Sequence, residues 1–419
     1  MLARVSKSAA LLFLQQFFNL VLPLVAMKLV VDRYGVDQFG KLVLCQALMQ
    51  YFMVAVDFGF NITATNYVAK NRDRAQLQKK VVTIYSIKLL FLVLSSIICL
   101  GYVLFLPELT YMLLLCFVAV IGQSLYPYWY FLGLERLIGV TALSVIVRVF
   151  SLLVLVFFLD SDDSILIFVF FLSFPYLVVG VVGLGLLATQ LSGFTRQVHF
   201  RDVLFELKEG WPIFISNFCS VVYTNSSVVI VSGLAGSSAA GIYGVADRLI
   251  KAVLGGVGVV SQAFYPVTSQ VSSNSKIDAF IRYMRMPLVI ALVFGGAVIS
   301  GVFLVGERVM NLVVGQDALD IYSVLLILSP IPMMVGLSSV LGVHMLTNLG
   351  MTRAFGFSVL VSTISFGLSV VVLAPLLGVN GVAWSYLLAE LSVVVVMAIM
   401  LEHRFRALSR VFGFKRGVK

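Results

Sequence analysis

The chain has 419 residues, of which 61% are hydrophobic and only 11% charged, with a formal net charge of +10 and a mean hydropathy of +1.06. A soluble domain carries roughly 25% charged residues, so these values exclude a soluble globular protein and leave lipid as the solvent for most of the chain. In that setting the basic excess points to cytoplasmic loops and away from nucleic acid.

A bilayer core about 30 Å thick takes about 20 apolar residues per helix. Taken in chain order, apolar runs bounded by turn or charge signals predict twelve spans, near 8–30, 39–68, 81–105, 109–132, 138–159, 164–190, 210–234, 240–268, 286–306, 320–347, 353–376 and 380–401. The fold class expected is an all-α polytopic membrane protein. Arg4 and Lys7 precede the first run and no small-residue cleavage site follows it, so it reads as an uncleaved span and not a signal peptide. After the second run come five cations, Lys70, Arg72, Arg74, Lys79 and Lys80. With the N-terminus placed in the cytoplasm, 21 of the 29 Lys and Arg residues fall on the cytoplasmic side, and the acidic turn Asp160, Asp162, Asp163 falls on the other. That asymmetry follows the positive-inside rule, so both termini are expected in the cytoplasm and the cations after Asn66 read as a topology anchor. The longest internal loop, 191–209, places Phe200, Val203, Leu204, Leu207 and Trp211 at helical spacing with charges opposite, an interfacial amphipathic helix. The basic tail from 402 to 419 is a second such segment, suited to anionic lipid.

The sequence repeats itself. Under a shift of 201 residues "YGVDQFGKLVLCQAL" (34–48) falls on "AGSSAAGIYGVADRL" (235–249), so that Gly35 meets Gly236 and Gly40 meets Gly241. "YFLGLERLIGVTAL" (130–143) similarly matches "MLTNLGMTRAFGFS" (345–358), each leading from the fourth helix of its half into the fifth. The organisation expected is an N-terminal six-helix lobe at 1–190, an amphipathic linker at 191–209, a C-terminal six-helix lobe at 210–401 and a tail at 402–419. Parallel six-helix repeats suit a transporter with its site between the halves.

Charges inside spans are the functional signal. Lys88, Arg148, Arg248 and Lys251 fall about 12–17 Å into their helices, counted at 1.5 Å per residue. Each costs at least about 2.5–3.5 kcal/mol at that depth. The candidate internal partners are Asp57, Asp247 and Glu390. Asp247 and Lys251 stand four apart on one helix, acid first, which suits a local pair. Two readings of these charges stand side by side: interhelical ion pairs that hold the bundle, or a wet, net-positive cavity for an anionic substrate with one acid taking a coupling ion. Polar residues on the first two helices of each half, Gln15, Gln16, Asn19, Asn61, Thr65, Asn66, Asn217, Tyr223 and Asn225, act either as interhelical hydrogen-bond glue or as cavity lining. Gln16 and Asn217 are equivalent under the repeat. Pro23, Pro127, Pro175, Pro266, Pro330 and Pro332 are hinges or kinks. His344 reads as a packed or interfacial histidine. The four cysteines, Cys45, Cys99, Cys116 and Cys219, lack CxxC spacing and read as core residues, and the sequence contains no metal-binding or nucleophile–base motif. No cofactor is called for beyond a coupling H+ or Na+.

Three stretches then carry a family likeness: "LPLVAMKLVVDRYGVDQFGKLVLCQAL" with Pro23, Gly35, Phe39 and Gly40; "VDFGFNITATNYVAKNRD" with Asp57, Gly59, Phe60, Asn61 and Thr65; and "SLYPYWYFLGLERL" with Pro127, Trp129, Gly133 and Glu135. "LGVHMLTNLGMTRAFG" is a weaker fourth. The chain resembles the Wzx-type polysaccharide repeat-unit flippases of the O-antigen and capsule kind, within the superfamily that includes multidrug/toxin extruders and the lipid II flippase. The resemblance implies two six-helix lobes around a central cationic cavity in the bacterial inner membrane. It implies alternating-access transfer of an undecaprenyl-pyrophosphate-linked oligosaccharide to the outer leaflet, with a polysaccharide polymerase and a chain-length regulator as partners, and no catalytic residues. Asp57 lies in a matched motif, so a structural role at the inner gate competes with ion coupling. A cation-coupled drug exporter and a membrane polymerase or ligase are the alternatives. The first suits a net-negative cavity, and the second needs a large outer loop that this sequence lacks.

Overall fold

The computed structural model describes the backbone of residues 2–71, 73–157, 164–191, 198–274, 277–315 and 317–412, and its side chains except for 1–17, 19, 137, 138, 259, 262, 263, 265–267, 269–279, 281 and 405–412. The Asp160–Asp163 turn, residues 192–197 of the 191–209 loop, and the side chains of Gln15, Gln16, Asn19, Pro266 and most of the tail fall outside the described residues. Chain contacts divide the molecule into two compact units, Met1–Gly244 and Val245–Lys419.

The described residues are helical nearly throughout. In the first unit α1 (Leu2–Asp57), α2 (Phe60–Lys70), α3 (Arg74–Phe105), α4 (Thr110–Leu125), α5 (Tyr128–Gly133), α6 (Leu137–Phe157) and α7 (Ile165–Leu191) follow in order, then the first part of α8 (Phe200–Asn274). The second unit takes the rest of α8, then α9 (Ile277–Val313), α10 (Ala318–Leu328), α11 (Ile331–Ser338), a π-helical segment (Ser339–Leu346), α12 (Thr352–Leu377) and α13 (Val379–Phe412). Among the described residues, ten stretches are long and apolar enough to cross a bilayer. Many turn their apolar side chains outward: on Arg282–Val313, Val289, Val293, Phe303, Leu304 and Leu312 are all exposed. In water such faces would aggregate; in lipid they are the required surface, and the chain is a multi-pass membrane protein.

The expectation of twelve spans differs from these ten stretches for a local reason. Two of them, Leu20–Lys70 and Phe200–Gly258, are 51 and 59 residues long, and each holds two expected spans joined without a loop. The joints are Gly35 (φ 80°, ψ 170°) and Gly236 (φ 84°, ψ −177°), a backbone region that only glycine enters without strain. Likewise the amphipathic 200–209 segment is no separate linker helix; it runs on into the helix that follows.

The repeat is visible in the backbone. A side chain on Gly40 would land on the carbonyl of Ser237, and one on Gly241 would land on the carbonyl of Val36. Val36 and Ser237 are themselves 201 residues apart, so the same contact is made twice with the roles exchanged. Ser237 Oγ also donates to Asp37 Oδ1. The second sequence match behaves similarly. Arg136 N donates to Phe131 O at 2.9 Å and Glu135 N to Leu132 O at 3.0 Å; Met351 N donates to Leu346 O at 2.8 Å and Gly350 N to Thr347 O at 3.0 Å. Glu135 (φ 57°) and Gly350 (φ 75°) occupy the same left-handed position. Small residues set helix approach elsewhere too: Gly122 and Gly180 bring the backbones of α4 and α7 into contact, the membrane rule of small residues at crossings.

Candidate functional site

Two of the family-like motifs converge on one packing unit. Helix α1 ends at Asp57, Phe58 (φ 46°) and Gly59 (φ 82°) take left-handed conformations, and α2 restarts at Phe60. Asp57 accepts hydrogen bonds from the backbone N–H groups of Gly59 and Asn61, as a capping carboxylate does at a helix start. Lys88 and Asp57 act on each other electrostatically. Thr65 Oγ1 bonds to Asn61 O at 2.7 Å and to Trp129 O at 3.2 Å, and Gly133 leaves room for Val68. Phe58, Phe60, Trp129, Tyr130 and Phe131 share one buried cluster. The second and third motifs are thus two faces of a single joint between α2 and α5. The discontinuity at Phe58 is clamped from outside by rings: Phe91 stacks at 5.0 Å and Phe214 at 4.6 Å.

The cations after Asn66 do more than mark topology. Lys80 is 5% exposed and pairs with Glu206 at 2.6 Å and Glu209 at 3.7 Å, while Lys79 pairs with Asp202 at 2.7 Å. Lys80 also lies over the ring of Tyr67 at 4.5 Å. Arg74 donates to Gln190 O at 2.6 Å, and Gln78 donates to Leu191 O. The acids of the 200–209 segment are docked on α3, while Phe200, Leu204 and Trp211 point outward.

The mid-span cations have different surroundings. Lys88 is buried on α3 and faces Asp57. Arg148, half-buried on α6, lies over the ring of Tyr176 of α7 at 4.8 Å, with Tyr126 within its electrostatic reach and Tyr128 stacked obliquely on Tyr126 at 5.9 Å. A cation–π contact contributes about 0.5–2 kcal/mol, less than the about 2.5–3.5 kcal/mol that an arginine costs at that depth. The ring alone does not offset that cost. In the second unit Asp247 and Lys251 form the local pair expected from their spacing, at 2.7 Å. Asp247 is buried but 37% of the Lys251 side chain is exposed. Arg248 is half-buried beside them, and Glu390 is buried on α13.

Of the softer polar residues, Tyr223 is buried, Asn66 and Asn217 are exposed, and Asn225 bonds within its own helix, to Val221 O at 3.3 Å and Thr224 Oγ1 at 3.1 Å. Sequence reasoning missed Tyr51, whose hydroxyl meets Ser226 Oγ at 2.7 Å, and the tyrosines around Arg148. The aromatic density of "YPYWY" was the available signal. Among the described residues no group of three or more His, Cys, Asp or Glu is placed to hold a metal ion.

Residues 5–272 match the model of the family described as "Polysaccharide biosynthesis protein". The chain belongs to this family. Among curated relatives of this polysaccharide biosynthesis protein, "Putative O-antigen transporter" of Escherichia coli (strain K12) is 28% identical over 339 residues, 79% of this chain and 80% of that protein. A protein of the same name from Shigella dysenteriae is 24% identical over 93% of this chain and 98% of its own length. Among solved structures, an inward-facing multidrug resistance MATE family transporter of the MOP superfamily superposes with a TM-score of 0.73 at 14% identity, covering 96% of this chain and 99% of that one. The lipid II flippase MurJ, in an inward closed conformation, superposes with 0.70 at 14% identity, covering 93% and 87%. The family member described here has the fold of those transporters.

Proposed function

We propose that this protein flips an undecaprenyl-pyrophosphate-linked oligosaccharide repeat unit from the cytoplasmic to the outer leaflet of the bacterial inner membrane, with both termini in the cytoplasm. The relatives named as O-antigen transporters support the substrate class. One structural observation carries the reading: Lys251, on a membrane-crossing helix, pairs with a buried Asp247 and still leaves 37% of its side chain exposed. An ammonium exposed at that depth faces water and not acyl chains. Arg148, Arg248, Lys88 and Lys251 are the cations assigned to the diphosphate, with Gln16, Asn19, Asn61, Asn66, Asn217, Tyr223 and Asn225 assigned to the sugars. The basic tail rests on anionic lipid, and a polymerase acting at the outer leaflet takes up the delivered unit under a chain-length regulator. The two six-helix halves act as lobes, at 1–190 and 210–401, that open to each side in turn.

The test is complementation of a strain lacking its own repeat-unit flippase. Wild-type protein restores surface polysaccharide; without it, lipid-linked repeat units stay on the cytoplasmic face. Arg148→Ala and Arg248→Ala abolish export at normal membrane levels. Full export by both variants overturns the cavity role, and a fall in protein level instead identifies them as structural ion-pair partners.

A further inference from the structure

His344 is 1% exposed and sits in the π-helical segment Ser339–Leu346. Its Nε2 lies 2.9 Å from Ser261 Oγ and its Nδ1 lies 3.1 Å from Thr268 Oγ1, both on α8. Ser261 Oγ lies 2.6 Å from Ser339 Oγ. The histidine therefore sits inside a hydrogen-bonded chain, Ser339–Ser261–His344–Thr268, within the second unit. The same residue forms part of the wall of an apolar recess with about 490 Å³ of empty space, between α8, α9 and α11, whose polar lining side chains are Ser261, Ser339 and His344.

We propose that His344 is a proton-binding site that couples proton uptake to the conformation of this segment. It rests on the transport reading above and supplies its coupling ion. The argument is one of hydrogen-bond bookkeeping. A backbone carbonyl opposite a ring nitrogen admits only an N–H at that position; a hydroxyl donates or accepts by rotating. Neutral His344 takes a donated bond at one nitrogen and donates at the other. Protonated His344 donates at both, Ser261 turns to accept from it and donate onward to Ser339, and Thr268 turns to accept. Each partner can satisfy both protonation states, which is the requirement for a buried group that changes charge. The segment that carries it is the bistable element. π-Helical turns inside α-helices hold one residue in excess and recur at functional positions, and here Thr347 N reaches back five residues to Gly342 O at 3.1 Å. Among the described side chains, the titratable groups on the elements packed against the segment are Arg282, Tyr283, Arg285, Glu307 and Arg308 of α9, Arg353 of α12 and Tyr386, Glu390, Glu402, His403 and Arg404 of α13, with Lys251 ten residues before Ser261 on α8.

The chain contains three histidines, so a His199→Gln, His403→Gln background leaves His344 as the only imidazole. The full chain in nanodiscs, labelled with ring 15N histidine, is followed by NMR over about pH 5–8, where histidine changes charge. The expected result is a reversible one-proton titration of His344 with the protein still folded, displaced by Ser261→Ala and Thr268→Ala. In the complementation assay His344→Gln, which hydrogen-bonds to both hydroxyls without titrating, loses at least tenfold of export at wild-type membrane levels. A ring that keeps one tautomer throughout, or wild-type export by His344→Gln, overturns the proposal while leaving the flippase reading intact. Failure of the wild-type protein to export would sink the flippase reading, whatever His344 does.

Discussion

Asp57 and Lys88 place a carboxylate and an ammonium within the same apolar layer, the first partly satisfied by two backbone N–H groups at the start of α2 and the second buried on α3. Removing one charge strands the other, and breaking such a pair is more harmful than replacing both members. Asp57→Asn keeps a capping side chain but leaves Lys88 uncompensated. It is expected to lower stability by about 1–3 kcal/mol, read as a drop in melting temperature in detergent. Asp57→Asn combined with Lys88→Gln recovers most of that loss, whereas a role for Asp57 in cation uptake leaves export lost in the double variant even when stability returns. The presence of the two charges was legible in the sequence, because charge inside an apolar run stands out. The cap was not. It needs Phe58 and Gly59 to break the helix, and "VDFGF" carries only one glycine to signal two successive left-handed residues.

Among the helices, the joints decide how elements meet. Gly35 and Gly236 break their helices in open space, so a side chain there is resisted by backbone strain alone, about 1–3 kcal/mol. Gly40 and Gly241 are resisted by a carbonyl oxygen directly above them. Gly40→Val and Gly241→Val are therefore expected to part the crossing and to lower both melting temperature and export more than Gly35→Ala or Gly236→Ala, a ranking checked by thermal unfolding of the four variants side by side. These joints were readable because glycine recurs at a fixed 201-residue offset. The Lys80–Glu206 pair was not readable: 126 residues separate its members, and only the docking of the 200–209 segment on α3 brings them within 2.6 Å. The basic run read as a topology anchor because its acidic partners lay in a loop that reads equally well as an interfacial helix.

For the molecule as a whole, outward-facing apolar side chains on α3, α9 and α12 and a buried core that is largely aliphatic, with aromatic and small residues among it, define a protein that folds only in a bilayer. The fold class was legible from composition alone, and the loop-free joining of the expected spans at Gly35 and Gly236 was not, because two helices joined at one glycine and two helices with a turn have the same hydropathy. Orientation is open to a direct check. Cys45, Cys99 and Cys116 are buried and Cys219 is half-buried; with these four replaced by serine, Lys70→Cys is expected to react with an impermeant maleimide only from the cytoplasmic side, and Leu312→Cys, fully on the outer surface of α9, only from the opposite side. Labelling of both from one side would refute the even span count and the shared placement of the termini.

The doubled contact at Gly40 and Gly241 has the form of an isologous interface, in which one patch meets its own copy about a twofold axis. A precursor half this length, pairing with an identical partner, would thus have made both crossings with a single glycine, and fusion of two such chains freed each half to acquire its own chemistry: a guanidinium over a tyrosine in one, an imidazole among hydroxyls in the other.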